Sequence, residues 1–275
     1  MINRQRAGCQ GAGALYAIVA ERDRAALSAA AHDFSIYDPL PHAAPVPFNG
    51  GGDAHDPSRQ GLGAHGLIRR LAYIAARLAL VRCLDLSPRC AGRLAIVRDG
   101  YGRPVLDAAR TAGSVGGLHA AAVPSFSVSH CQDVAIVGVG VPGPIGVDAE
   151  RFRQVRGLEK RRETLDRRLR EVARLGGDLS IAADAFGGAS TGASASTDGI
   201  EDLMTWVRFE AAAKADGRGG LALLRGAPAG CEPLLLRSAV CPASNTVIAV
   251  AGPFDVTFDS VVPVAMLLRE LGLRS

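Results

Sequence analysis

The sequence predicts an α+β fold of two pseudo-repeated halves in one chain, with a ligand crevice between them. Three observations carry this expectation. The chain has 275 residues, enough for one large domain or two small ones. Its apolar residues fall into short β-prone runs and longer runs with helical period. The order of these runs also repeats. Strand 15–20, long helix 67–81 and hairpin 126–141 are followed by strand 145–150, long helix 201–215 and hairpin 234–251. The seam falls near residue 145, giving an N-terminal half over 14–144 and a C-terminal half over 145–275. A crevice between two such halves is a natural ligand site.

The elements follow in order. Residues 1–13 are polar and Gly-rich and read as a frayed tail. LYAIVA at 15–20 is a short apolar run, a buried strand, and a helix over 21–31 follows it. Residues 38–58 hold five prolines and three consecutive glycines, so they read as loop. Residues 67–81 read as a buried helix whose apolar face is interrupted by Arg69, Arg70 and Arg77. Residues 94–97 form a strand that ends at the turn Asp99-Gly100-Tyr101-Gly102. Residues 126–130 alternate, Cys131-Gln132-Asp133 turn the chain, and 134–141 run back as a hairpin. In the helix over 157–175, Leu158, Leu165, Leu169 and Val172 make one apolar stripe. Residues 176–200 are rich in Gly, Ala, Ser and Thr and read as a flexible insertion. The helix over 201–215 is stopped by Gly217 and Gly219. Strands 234–240 and 246–251 pair around 242–245, and a short helix closes the chain.

Composition removes several functions. A net charge of +4 is too mild for a dedicated nucleic-acid binder. No apolar run approaches the ~18 residues needed to span a bilayer. The N-terminus has two early arginines but no long apolar core, so no signal peptide is expected. Cysteines 9, 83, 90, 131, 231 and 241 show neither a C-x-x-C pair nor zinc spacing, which suits reduced thiols in a cytosolic protein. Of 31 basic residues only Lys160 and Lys214 are lysines. That skew towards arginine draws attention to both.

Five constellations could carry chemistry. Gly61-Leu62-Gly63-Ala64-His65-Gly66 fits G-x-G-x-x-G but follows a polar loop, so a Gly-rich helix entry explains it better than a dinucleotide fold. Asp148 and Glu150 are two apart in a strand and share a face. Such a pair is either a solvated strand end or a site for a divalent cation such as Mg2+. Glu210 and Lys214 share a helix face, as a surface pair or as site groups. In Ser127-Val128-Ser129-His130 the two serines face one way and the histidine the other. There is no G-x-S-x-G elbow for a hydrolase. Residues 151–175 carry ten positive and four negative charges, a solvated face or a dock for an acidic partner.

Taken in order, these pieces resemble the 4′-phosphopantetheinyl transferases of the two-half type. Gly102-Arg103-Pro104 resembles the family's G-[KR]-P turn. Phe126-Ser127-Val128-Ser129-His130 resembles F-[NS]-[LIV]-S-H, and Gly146-Val147-Asp148-Ala149-Glu150 resembles G-[IV]-D-x-E. The stretch from Trp206 to Lys214, followed by Gly217 and Gly219, resembles W-x-x-K-E-A-x-x-K. The family commonly carries Lys where this chain has Phe209. The motifs span about residues 95–220.

The resemblance implies transfer of the phosphopantetheine arm of coenzyme A to a serine of an apo acyl- or peptidyl-carrier protein, releasing 3′,5′-ADP. It implies Asp148, Glu150 and Glu210 around Mg2+, with Mn2+ as the other candidate metal. Lys214 would meet the phosphates, and Glu210 or a metal-bound water would take the serine proton. Ser129 and His130 would contact the nucleotide's phosphates, Arg103 and Pro104 would line the adenine, and Arg59 would be a further ligand of the 3′-phosphate. Trp206 would pack at the edge of the site. The acidic carrier protein would dock on 151–175 through Arg161, Arg162 and Arg168. A monomer follows, since one chain supplies both sides of the crevice. Nucleic acid and membrane are not expected partners. The alternatives are a degenerate, non-catalytic coenzyme A or phosphate-binding protein and a general basic interaction module.

Overall fold

The computed structural model describes residues 12–19, 64–116, 123–131, 134–141, 143–152, 157–176, 179, 197–226, 233–241, 245–253, 256–261 and 269. Helix and strand are mixed throughout, as the α+β expectation requires. The order is β1 (Ala12–Val19), α1 (Ala64–Cys83), a 3-10 turn (Pro88–Arg93), β2 (Ile96–Arg98), β3 (Pro104–Leu106) and α2 (Ala108–Val115). It continues with β4 (Ser125–Cys131), β5 (Val134–Val141), β6 (Gly146–Arg151), α3 (Leu158–Val172), β7 (Ala173–Leu175) and α4 (Thr197–Asp216). Last come α5 (Gly220–Arg225), β8 (Leu234–Cys241), β9 (Thr246–Gly252) and β10 (Val256–Val261). The expected helix over 21–31, most of the expected insertion and nearly all of the expected C-terminal helix lie outside the described residues, while 197–200, expected in the insertion, form the first turn of α4.

Two four-stranded sheets organise the chain, in the orders β10-β1-β5-β4 and β6-β9-β8-β7. β10 was not expected. It pairs parallel with β1, Gly13 opposite Val256, so a strand from beyond residue 145 completes the first sheet. β5 is buried from Val134 to Gly140, which its continuous apolar run anticipates. Its two faces enter different cores. Ala135, Val137 and Val139 pack under α1, while Val134 and Ile136 meet Val147, Ala149, Ile248 and Val250 of the second sheet. On the far side, α3 and α4 cover that sheet through Leu158, Leu165, Leu169, Leu203, Val207 and Phe209.

α1 is almost wholly buried from Ile68 to Val81, including Arg77 at 5% exposure. Expected to interrupt an apolar face, Arg77 instead donates from Nη1 to the carbonyls of Ala91 (2.8 Å) and Leu94 (2.7 Å). Its charge is taken inside because it satisfies acceptors at the end of the 3-10 turn. The unexpected α2 has ordinary sequence signals: Asp107 caps it by accepting from the Arg110 amide, and Gly116 ends it at φ +87. Among the described residues no helix is long and apolar enough to cross a membrane.

Candidate functional site

The site begins with a glycine. A Cβ on Gly146 would stand 2.0 Å from the Ala211 carbonyl oxygen and 2.4 Å from the Ala215 amide nitrogen. No side chain fits there, so α4 lies backbone to backbone on β6. Strand alternation then turns Gly146, Asp148 and Glu150 to the α4 side, while Val147 and Ala149 enter the core between the sheets. Glu210 and Lys214, one turn apart on α4, come down beside Asp148. The Lys214 ammonium donates to Asp148 Oδ1 at 2.7 Å and to the Val147 carbonyl at 3.0 Å.

β4 approaches from the other sheet. β4 and β6 are both edge strands, and edge amides need partners. Serine hydroxyls supply them: Ser127 Oγ accepts from the Val147 amide at 3.1 Å, and Ser129 Oγ from the Ala149 amide at 3.2 Å. Ser129 also donates to Asp148 Oδ1 at 2.8 Å, with both residues 6% exposed. Three elements therefore meet on one carboxylate.

Above this junction lies a cleft of about 240 Å3. Its walls include Tyr73 of α1, Arg103 and Pro104, Phe126, Ser127 and Val128 of β4, and Glu210 and Lys214 of α4. The turn at 99–103 aims Arg103. Asp99 accepts from the Tyr101 and Arg103 amides at 3.0 and 2.9 Å and from Arg103 Nε at 3.0 Å. Burial alone would raise the Asp99 carboxyl, but these hydrogen bonds and the Arg103 charge together hold it below its ordinary value. The guanidinium lies over Gly217, where a Cβ would stand 2.6 Å from Nη1 and where φ is +80. Gly217 follows the end of α4, so the cation also meets the negative pole of the helix.

Burial pushes the Glu210 carboxyl up, and the charges of Asp148 and Glu150 add to the rise against the pull of Lys214. Glu210 thus feels both of the other carboxylates. This donor set has the hard oxygen chemistry that suits a divalent cation. Among the described residues no group of three His, Cys, Asp or Glu side chains stands assembled around a single point. The cation held at Asp148 is the Lys214 ammonium.

The other expected site residues are placed as follows. Ser129 is buried behind Asp148 and His130 is half-buried one step further along β4. The described wall of the cleft stops at Val128. Arg59 lies outside the described residues. Phe209 is 1% exposed in the core under α4, stacked on half-buried Trp206 with centroids 6.3 Å apart. The Phe209 ring lies behind Gly220 of the cleft wall, where a Cβ would stand 3.4 Å from the ring edge, so an apolar side chain fills the place of the family's lysine. Arg208 is turned aside, donating to Ser238 Oγ at 2.9 Å.

On α3 the expected stripe is buried at Leu158, Leu165 and Leu169, and the opposite face is exposed. Arg162, however, is engaged with Glu201 (2.6 Å) and Asp202 (3.4 Å) of α4, and Arg168 with Glu171 (2.8 Å). Sequence reasoning missed Tyr73, Asp99 and the serine contacts between the sheets. Of these only Asp99 carried a local signal, an Asp opening a Gly-containing turn.

No protein-family model matches the chain, and no curated protein matches it.

Proposed function

We propose that this chain is a 4′-phosphopantetheinyl transferase acting on coenzyme A and the serine of an apo carrier protein. One observation supports the reading above the rest. Arg103 and Lys214, two cations from different elements, share a cleft with Glu210, directly above the buried Asp148. A ligand rich in phosphate suits the cations, and a divalent metal suits the acids. The finer reading of the fold, two pseudo-repeated halves each with one sheet and one long helix, belongs to the same proposal. So do a cytosolic location and a monomeric state.

In the reaction, the carrier serine oxygen attacks the β-phosphorus of coenzyme A. The bond from that phosphorus to the bridging oxygen breaks, and 3′,5′-ADP leaves with the bridging oxygen. Phosphoryl transfer depends mainly on positioning and charge neutralisation. Lys214 holds phosphate oxygens once its ammonium leaves Asp148 for the ligand. Arg103 and Pro104 hold the nucleotide end, and the Asp99 turn fixes their direction. Glu210, on the cleft wall one turn from Lys214, is placed to accept the serine proton. A divalent metal held by Asp148, Glu150 and Glu210 would supply charge neutralisation at the pyrophosphate.

The test is a mass measurement. Incubated with coenzyme A, Mg2+ and a panel of apo carrier domains, the protein should add one phosphopantetheine to at least one carrier. Asp148→Ala, Glu150→Ala and Glu210→Gln should each slow that gain by about 10²-fold or more. Binding of coenzyme A with no gain on any carrier would instead identify a non-catalytic binding protein.

A further inference from the structure

We infer that Ser129 is a positioning residue that fixes the Asp148 carboxylate between the two sheets, rather than a group that touches the ligand. The inference rests on the transferase reading for its functional consequence and on geometry alone for its structural one.

The geometry is specific. Ser129 Oγ uses its single proton on Asp148 Oδ1 at 2.8 Å and accepts the Ala149 amide at 3.2 Å. A hydroxyl has one donor and two acceptor sites, so one acceptor site is left for any further contact. The residue is 6% exposed, and the described wall of the cleft ends before it. Lys214 donates to the same carboxylate oxygen at 2.7 Å from the opposite side. Asp148 is thereby pinned from β4 and from α4, and its rotamer is decided before any ligand arrives. Preorganisation of this kind matters in phosphoryl transfer, where small misplacement of a charged group is costly.

Ser127 provides an internal control. Two residues earlier on the same strand, it makes the same kind of contact, accepting the Val147 amide at 3.1 Å. Replacing either serine by Ala removes one link between β4 and β6. Only Ser129→Ala also removes a donor from Asp148.

The experiment has two readouts on the full chain. The first is thermal midpoint in a double-mutant cycle. Ser129→Ala and Asp148→Ala combined should shift the midpoint by clearly less than the sum of their separate shifts. Ser127→Ala with Asp148→Ala should be additive. The second is transfer kinetics. Ser129→Ala should lower kcat by roughly tenfold or more with the KM for coenzyme A within about twofold, a larger fall than in Ser127→Ala. Ser129→Thr, which keeps the hydroxyl, should recover part of the loss. An additive Ser129–Asp148 cycle overturns the proposal. So does a raised KM for coenzyme A at unchanged kcat, which would make Ser129 a ligand contact. If the unsubstituted chain transfers nothing to any carrier, the transferase reading fails, and the cycle alone still upholds or overturns the hold of Ser129 on Asp148.

Discussion

At the scale of single residues, charge placement decides what the cleft can bind. Asp99 is the clearest case, because its carboxyl is held below its ordinary value by the Arg103 and Tyr101 contacts. A depressed carboxyl contributes stability that is present above the unfolded value of 3.8 and lost as pH falls through the lower folded value. Asp99→Asn should therefore destabilise the protein at neutral pH and cost nothing once the pH is well below that range. Thermal midpoints measured across an acid series would show it. The same substitution frees Arg103, so coenzyme A should bind more weakly at neutral pH.

Lys214 makes a second test. An ammonium is a compact point charge, whereas a guanidinium is planar and larger, and the space between Asp148 and the Val147 carbonyl holds the former. Lys214→Arg should keep the fold and lose roughly tenfold or more in transfer rate. An unchanged rate would reduce Lys214 to half of an ion pair with Asp148. The sequence made Lys214 conspicuous by rarity but could not pair it with Asp148, 66 residues away. It also left the direction of Phe209 open. Helical spacing alone did not say which side of α4 was core.

At the scale of elements, the contact of α4 with β6 governs the site. Gly146→Ala would drive a methyl into the α4 backbone, with no flexible side chain to give way. Overpacking of this kind costs about 1–3 kcal/mol, on the order of 5 °C for a chain of this size. The helix must also lift from the strand, so transfer should fall by more than the loss of stability explains. Calorimetry and kinetics on the same sample separate the two. Most elements were legible from periodicity: α1, α3, α4 and the two hairpins all lie within a few residues of their expected bounds. The misses have physical reasons. β3, β7 and α5 are only three to six residues long, too short for a period to emerge. Arg77 read as a break in an apolar face because its carbonyl partners are 14 and 17 residues away.

At the scale of the whole molecule, two sheets meet through β4 and β6, and both termini of the described chain return to the first sheet through β1 and β10. The half-by-half reading of the sequence could not foresee that return, since parallel pairing of distant strands leaves no local mark. The remaining large-scale feature is the charge on α3. Its apolar stripe is spent on the core, so the helix meets solvent through its basic face. Two of the three residues expected to dock a carrier, Arg162 and Arg168, are engaged within the chain. Arg162 is bound to Glu201 and Asp202 of α4, with its guanidinium held more firmly protonated by the Glu201 hydrogen bond. Reversing Arg162 would break the α3–α4 contact as well as alter the surface. Lys160, Arg161 and Arg167 are exposed on α3 and enter none of those pairs with α4. A carrier that is acidic around its serine would meet these three first, and long-range attraction acts chiefly on association. Lys160→Glu, Arg161→Glu and Arg167→Glu combined should raise the KM for carrier by roughly tenfold at low salt. The KM for coenzyme A should stay put, because none of these three residues lines the cleft. The difference from the unsubstituted chain should shrink as salt rises. If the carrier KM is unchanged at every ionic strength, the basic face of α3 is a solvated surface and the carrier docks elsewhere.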